Sequence, residues 1–130
     1  MEMKFYKCNV CGKIVGIVRD SSSSLYCCGQ AMEEIFPLEE ETNISEKHIP
    51  TYERKDNKLI VKVGSILHPM TSDHHISWVA LTTNKGNQRK ALDISSLPIV
   101  TFYLDEGEEP LRIYSYCNIH SLWVLDLTKE

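Results

Sequence analysis

Apolar positions along the chain gather into short runs rather than helical stripes. Leu59–Leu67, Ile76–Thr83, Ile99–Leu104, Leu111–Tyr116 and Leu122–Leu127 are rich in β-branched and aromatic residues, the composition of half-buried strands. Turn-forming clusters separate them: Asp56-Asn57, Asn84-Lys-Gly-Asn87 and Asp105-Glu-Gly-Glu-Glu-Pro110. In the last run Trp123, Leu125 and Leu127 alternate with Leu122, Val124 and Asp126, a period of two with one wetter face. No stretch carries a convincing helical period. From residue 46 onward the pattern predicts a β-sandwich with Greek-key connections in about 90 residues.

The first 36 residues follow a different logic. An apolar stretch, Ile14–Val18, and a polar turn, Arg19-Asp-Ser-Ser-Ser-Ser24, lie between two pairs of cysteines. A unit this short cannot bury a core of its own, so a metal is expected to hold it. Residues 37–45 change composition abruptly and carry an acidic run, which reads as a solvated linker. The predicted organisation is therefore a small metal-bound domain at 1–36 and a β-sandwich at 37–130, with 37–45 connecting them.

Composition narrows the function classes. The chain has 130 residues, 42% of them hydrophobic, and a net charge of -4. That balance argues against a nucleic-acid partner, whose phosphates call for a basic face. No apolar run approaches the ~20 residues needed to cross a bilayer, and the N-terminus lacks a signal-peptide core. A cytoplasmic protein with no membrane partner is expected. In such a reducing compartment the five cysteines suit metal ligation better than a disulfide framework.

Four cysteines form the first cluster. Cys8-x-x-Cys11 and the adjacent pair Cys27-Cys28 offer the four thiolates of a tetrahedral site, and Gly12 relaxes the backbone after the second. Zinc and a single iron both accept four thiolates, so spacing alone leaves the metal open. A structural zinc ribbon is the ordinary reading, although zinc ribbons normally repeat Cys-x-x-Cys on both sides.

The second cluster joins Cys117 and His120, three residues apart between two predicted strands, to His48, His68 and His74 upstream. All fall at strand ends or in loops, where a sandwich gathers its functional groups. His74 and His75 open a strand with side chains on opposite faces, so at most one should enter a shared site. Soft thiolate and borderline imidazole favour iron, zinc or copper. Five ligands exceed the four of a structural zinc and leave one position open, which is a catalytic arrangement.

Cys8-x-x-Cys11 with Cys27-Cys28, Glu46-Lys-His-Ile-Pro50, His68-Pro-Met70, the His74 strand opening and Cys117-Asn-Ile-His120 before Leu122-Trp123 together resemble the desulfoferrodoxin family of two-iron superoxide reductases. The resemblance spans essentially the whole chain. It implies a desulforedoxin-like domain with one iron on Cys8, Cys11, Cys27 and Cys28, in place of zinc. It implies an immunoglobulin-like sandwich with a second iron held by His48, His68, His74 and His120 around it and Cys117 along the axis. The implied reaction is one-electron, two-proton reduction of superoxide to hydrogen peroxide without dioxygen release. Lys47 would attract the anion and help deliver a proton, and Glu46 would close the sixth position in the resting state. Rubredoxin or a similar small electron donor and a homodimer are implied as well. A different class of function, an electron carrier using only the four-cysteine iron, would need neither an open position nor Lys47. Two residues depart from the family pattern: His75, where many relatives carry an aromatic, and Ser121, where glycine is usual. If that position needs positive φ, serine there costs roughly 1 kcal/mol or more.

Overall fold

The computed structural model describes residues 2–39 and 44–129. It divides into two compact units, Glu2–Phe36 and Pro37–Glu130.

In the first unit β1 (Phe5–Lys7), β2 (Ile14–Gly16) and β5 (Glu33–Ile35) form an antiparallel sheet in the order β2-β1-β5, and β3 (Tyr26–Cys27) pairs with β4 (Gln30–Ala31). Its buried apolar residues are Phe5, Cys8 and Met32. So small a core does not offset the entropy of ordering the segment, which is why four converging thiols matter here. The β3–β4 turn consists of Cys28 (φ 54°) and Gly29 (φ 76°). Positive φ at both central residues matches the right-handed twist of a two-residue hairpin. The tight turn thereby presents the adjacent cysteines.

The second unit opens with one helical turn, α1 (Ser45–His48), and continues through β6 (Pro50–Lys55), β7 (Lys58–Val63), β8 (Ile76–Thr83), β9 (Gly86–Ala91), β10 (Ile99–Tyr103), β11 (Pro110–Cys117) and β12 (Ser121–Asp126). These strands make two antiparallel sheets, β10-β7-β6 and β12-β11-β8-β9, the mainly β sandwich that the sequence predicts. In β7 the side chains of Leu59, Val61 and Val63 point inward while Lys58 and Lys62 are exposed, the alternation expected of a strand with one wet face. Phe102 of β10, Val79 and Leu81 of β8 and Ile113 of β11 complete the core.

Three expectations need correction. The predicted strand Leu59–Leu67 stops at Val63; Ile66 and Leu67 are 49% and 42% exposed and belong to the turn that follows. β6 and β9 were not expected, because both are edge strands whose outward residues are mostly polar. The segment beginning at Pro37 is more than a solvated connection. Leu38 pairs in parallel with Trp123, giving its N–H to Leu122 O (2.9 Å) and accepting from Val124 N–H (3.0 Å). The remainder of the expected linker at 40–43 lies outside the described residues. No helix among the described residues is long and apolar enough to cross a membrane.

The turn from β11 to β12 ends at Ser121, whose φ is 66°. Side chains other than glycine lose roughly 1–2 kcal/mol in this region, while glycine there adds unfolded-state entropy worth about 0.4–1 kcal/mol. Ser121→Gly is therefore expected to stabilise the metal-free chain by about 0.5–1 kcal/mol. Urea unfolding checks this, and a destabilised variant would show that the serine is not strained.

Candidate metal centres

The four cysteines of the first unit converge. Donor atoms of Cys8, Cys11, Cys27 and Cys28 all lie within 4.8 Å of one another, with Cys11 Sγ 3.6 Å from Cys27 Sγ and Cys27 Sγ 3.8 Å from Cys28 Sγ. The Cys8–Gly12 turn, closed by Gly12 N–H to Cys8 O (2.9 Å), aims the N–H groups of Val10 (3.4 Å) and Cys11 (3.5 Å) at Cys8 Sγ. Those donors, Cys11 first, pull the Cys8 thiol down to about 6, so it is largely thiolate at neutral pH. Hydrogen bonding to Cys11 and Cys8 pushes Cys27 the other way, to about 12. Sulfurs that share protons in this manner release them to a bound metal cation.

The second cluster sits at one end of the sandwich, where α1, the β7–β8 connection and the β11–β12 turn meet. His48 closes α1, His68 and His74 lie in the connection, Cys117 ends β11 and His120 follows in the turn. The imidazoles form a closed ring in the order His48, His68, His74, His120. Neighbouring centroids are 4.6, 4.5, 5.1 and 4.8 Å apart with planes inclined by 71–86°. His48 and His74, across the ring, are 6.3 Å apart. Donor atoms of His48, His74, His120 and Cys117 lie within 4.8 Å of one another. His68 faces His120 across the square and joins through its Nε2, 3.1 Å from His48 Nε2.

Local hydrogen bonds explain which nitrogen faces inward. His48 Nδ1 lies 2.7 Å from Ile44 O and His68 Nδ1 2.7 Å from Pro69 O. A carbonyl only accepts, so each Nδ1 carries the proton and each Nε2 presents its lone pair to the centre. His120 faces His48 Nε2 through Nδ1 instead, at 3.1 Å. His74 Nε2 is buried with no hydrogen-bond partner, an orphaned lone pair of the kind that a metal ion satisfies. Cys117, fully buried, brings its Sγ to 3.8 Å from His120 Nδ1 and accepts the His120 N–H at 3.4 Å.

Neighbours fix the frame. His48 stacks on Trp123 with centroids 4.9 Å apart, and buried Ser115 donates its hydroxyl to His48 O at 2.6 Å. Trp123 Nε1–H in turn reaches His120 O at 3.0 Å. Sequence reasoning passed over Ser115, although a serine in an otherwise apolar inner row of β11 is a signal of a polar task. Of the paired histidines, His74 enters the ring, whereas His75 turns away with Nδ1 2.8 Å from Thr71 O.

Burial is the first cause that depresses the basicity of His48, His68 and His74, His68 reaching about 4, and the Lys47 ammonium adds to the effect at His48 and His74. These rings are therefore neutral at pH 7, the form that ligates metal. Lys47 and Glu46 are both exposed. The structure engages Glu46 through its backbone carbonyl, which accepts from Ile66 N–H (3.2 Å) and Ser65 Oγ (3.1 Å).

A pH dependence follows. Unfolded histidines take up protons near 6.5, whereas folded His68 does so only at about 4. Between those values the unfolded chain binds more protons, so stability falls as pH is lowered through that window. The metal-free protein is expected to melt at progressively lower temperature from about pH 6.5 to 4. A melting temperature flat across this range would show that the rings titrate normally.

Comparison with known proteins agrees with this geometry. The profile of the desulfoferrodoxin N-terminal domain matches residues 1–35, and that of desulfoferrodoxin matches residues 40–126. A desulfoferrodoxin from Syntrophotalea carbinolica is 39% identical over 94% of each chain. A desulfoferrodoxin homolog from Archaeoglobus fulgidus is 40% identical over 93% of this chain and 94% of that one. Among solved structures, the superoxide reductase from Treponema pallidum superposes with a TM-score of 0.81 at 33% identity, covering 96% of this chain and 98% of its own. With one profile over each cysteine-bearing unit, and whole-length relatives at this identity, the chain belongs to the desulfoferrodoxin family.

Proposed function

We propose that the chain is a superoxide reductase holding two irons, one on Cys8, Cys11, Cys27 and Cys28, the other on His48, His68, His74, His120 and Cys117. The observation that carries this reading is the closed square of four imidazoles with a buried thiol within 4.8 Å of the donor nitrogens of His48, His74 and His120. The donor set fits iron: four imidazole nitrogens and one soft sulfur would hold it and leave room for a further ligand. When bound there, ferrous iron supplies the single electron that converts superoxide, with two protons, to hydrogen peroxide.

The protein's own groups supply the rest. Lys47, exposed beside His48, places a positive charge at the mouth of the site, where an anionic substrate arrives. Its ammonium also orders water from which a proton can be delivered. Glu46, next to it in the sequence, would supply the carboxylate that closes the site at rest. Cys117, whose Sγ accepts the His120 N–H, would give a bound metal its one anionic donor. An electron carrier working through the four cysteines alone would leave this square and Lys47 without a task.

The same reading includes a small one-electron donor protein such as rubredoxin, and a homodimer. Val10, Val18 and Tyr26 of the first unit are exposed apolar side chains, which such pairing would cover. It also places the chain in the cytoplasm, where five free cysteines stay reduced.

Product stoichiometry tests the reading. Iron-loaded protein with an excess of reductant should yield one hydrogen peroxide per superoxide consumed and no dioxygen. Dioxygen release, with one peroxide per two superoxides, would mean dismutation and overturn the assignment. Separately, Lys47→Ala is expected to slow the reaction at low salt by about tenfold, the lower end of electrostatic steering, and to flatten its salt dependence, with iron content unchanged. Stopped-flow rates at two ionic strengths check this, and an unaltered salt profile removes Lys47 from steering.

A further inference from the structure

His74 differs from the other histidines that face the centre through Nε2. His48 and His68 each have Nδ1 locked on a carbonyl at 2.7 Å. Among the described residues, His74 Nδ1 has no hydrogen-bond partner, and its ring is less buried than theirs. Beyond its contacts with the neighbouring rings, its placement depends on its backbone.

Two residues hold that backbone. Thr71 Oγ1 accepts the His74 N–H at 3.1 Å and donates to His74 O at 3.1 Å. Those bonds span three residues and shape the loop without placing it. Asn118 reaches in from the turn that carries Cys117 and His120. Its Nδ2 donates to Asp73 O (2.9 Å), its Oδ1 accepts from His75 N–H (2.9 Å), and its backbone N–H donates to His75 O (3.2 Å). One carboxamide thus grips the peptide on either side of His74, across more than 40 residues of sequence.

We infer that Asn118 is a positioning residue for His74. Through the backbone it does what the Ile44 and Pro69 carbonyls do through Nδ1 for His48 and His68, and it ties the plane of His74 to Cys117 and His120. Asparagine suits this task because it offers a donor and an acceptor at once, matching the C=O of residue 73 and the N–H of residue 75. The inference rests on reading the histidine square as an iron site, and on no other part of the proposed activity.

The test is a double-mutant cycle on the full-length, iron-loaded chain. It reads release of ferrous iron from the histidine–cysteine centre to a chelator, alongside the electron paramagnetic resonance of that centre after oxidation. Asn118→Ala is expected to speed release by about tenfold, at the low end for loss of an outer-shell partner, and to change the rhombicity of the signal. Asn118→Asp keeps the acceptor and loses the donor, and is expected to fall between alanine and wild type. In a His74→Ala background, Asn118→Ala should alter release by less than about twofold, since the ring it places is gone. Wild-type release and an unchanged signal in Asn118→Ala would overturn the inference. So would equal acceleration with and without His74, which would mean a merely structural role. Melting of the metal-free variants shows whether they fold; should Asn118→Ala fail to fold, the same cycle is run with Asn118→Asp. If wild type does not consume superoxide while the Asn118–His74 coupling holds, the proposed activity fails and the positioning role stands.

Discussion

Cys117→Ser is expected to remove the visible thiolate-to-iron absorption of the histidine centre and to lower superoxide consumption by more than about 100-fold. Loss of an outer-shell partner alone typically costs about 10–100-fold. The residue occupies the last position of β11, fully buried, with Ser121 of β12 opposite it on one side and Ile76 of β8 on the other. No water can replace its sulfur there without opening the end of the sandwich. A serine hydroxyl fills nearly the same space, so the fold should survive. It is a harder donor that does not ionise near neutral pH, and it leaves the His120 N–H with a weaker acceptor. The absorption of the four-cysteine centre, which lies in the other unit, should persist and serves as the internal control for iron loading. Iron per chain, the visible spectrum after mild oxidation and stopped-flow decay of superoxide read the three effects separately. A Cys117→Ser protein with wild-type decay would mean that the sulfur contributes nothing to the reaction. The activity would then have to arise from the four nitrogens alone.

How much of this was legible in the sequence depended on how local each feature is. The inner strands announce themselves, because Leu59, Val61 and Val63, or Ile99 to Tyr103, bury apolar side chains and alternate accordingly. β6 and β9 do not, since an edge strand of mainly polar residues such as Gly86–Ala91, none of them buried, has no apolar period to display. The Leu59–Leu67 run misled at its end because Ile66 and Leu67 are as apolar as the strand yet stand on an exposed turn. α1 is one turn long, too short for any period. The cysteine and histidine clusters stood out through spacing, and the whole-length resemblance grouped them. The residues that hold those clusters in place did not stand out. Asn118 grips the backbone around residue 74, Ser115 holds His48 O, and Leu38 pairs with Trp123. Each joins segments far apart in sequence, so only the folded backbone reveals it.

Gly64 is the sharpest case, and Gly64→Ala is expected to destabilise the second unit. A Cβ at this position would lie 2.6 Å from Glu46 O, 2.8 Å from Ile49 O and 3.1 Å from Lys47 C. All three are backbone atoms, so no side chain can rotate aside; the α1 turn or the start of the β7–β8 connection must shift. These two segments are pinned to each other by Ile66 N–H and Ser65 Oγ on Glu46 O, and the moving part carries Lys47 and His48. Overpacking of this kind costs about 1–3 kcal/mol, and the upper end is expected because rigid backbone sits on two sides. Denaturant unfolding of the metal-free chain should show that loss. Iron should leave the histidine–cysteine centre faster while the four-cysteine absorption stays constant. Ser65→Ala is the comparison, because it deletes one exposed hydrogen bond to the same carbonyl and adds no bulk. It should cost no more than about 1 kcal/mol and leave iron release near wild type. Were Gly64→Ala as mild as Ser65→Ala, the close approach would be slack that the loops absorb. A large loss in Gly64→Ala alone would show that bare backbone at residue 64 sets where the Lys47–His48 turn rests.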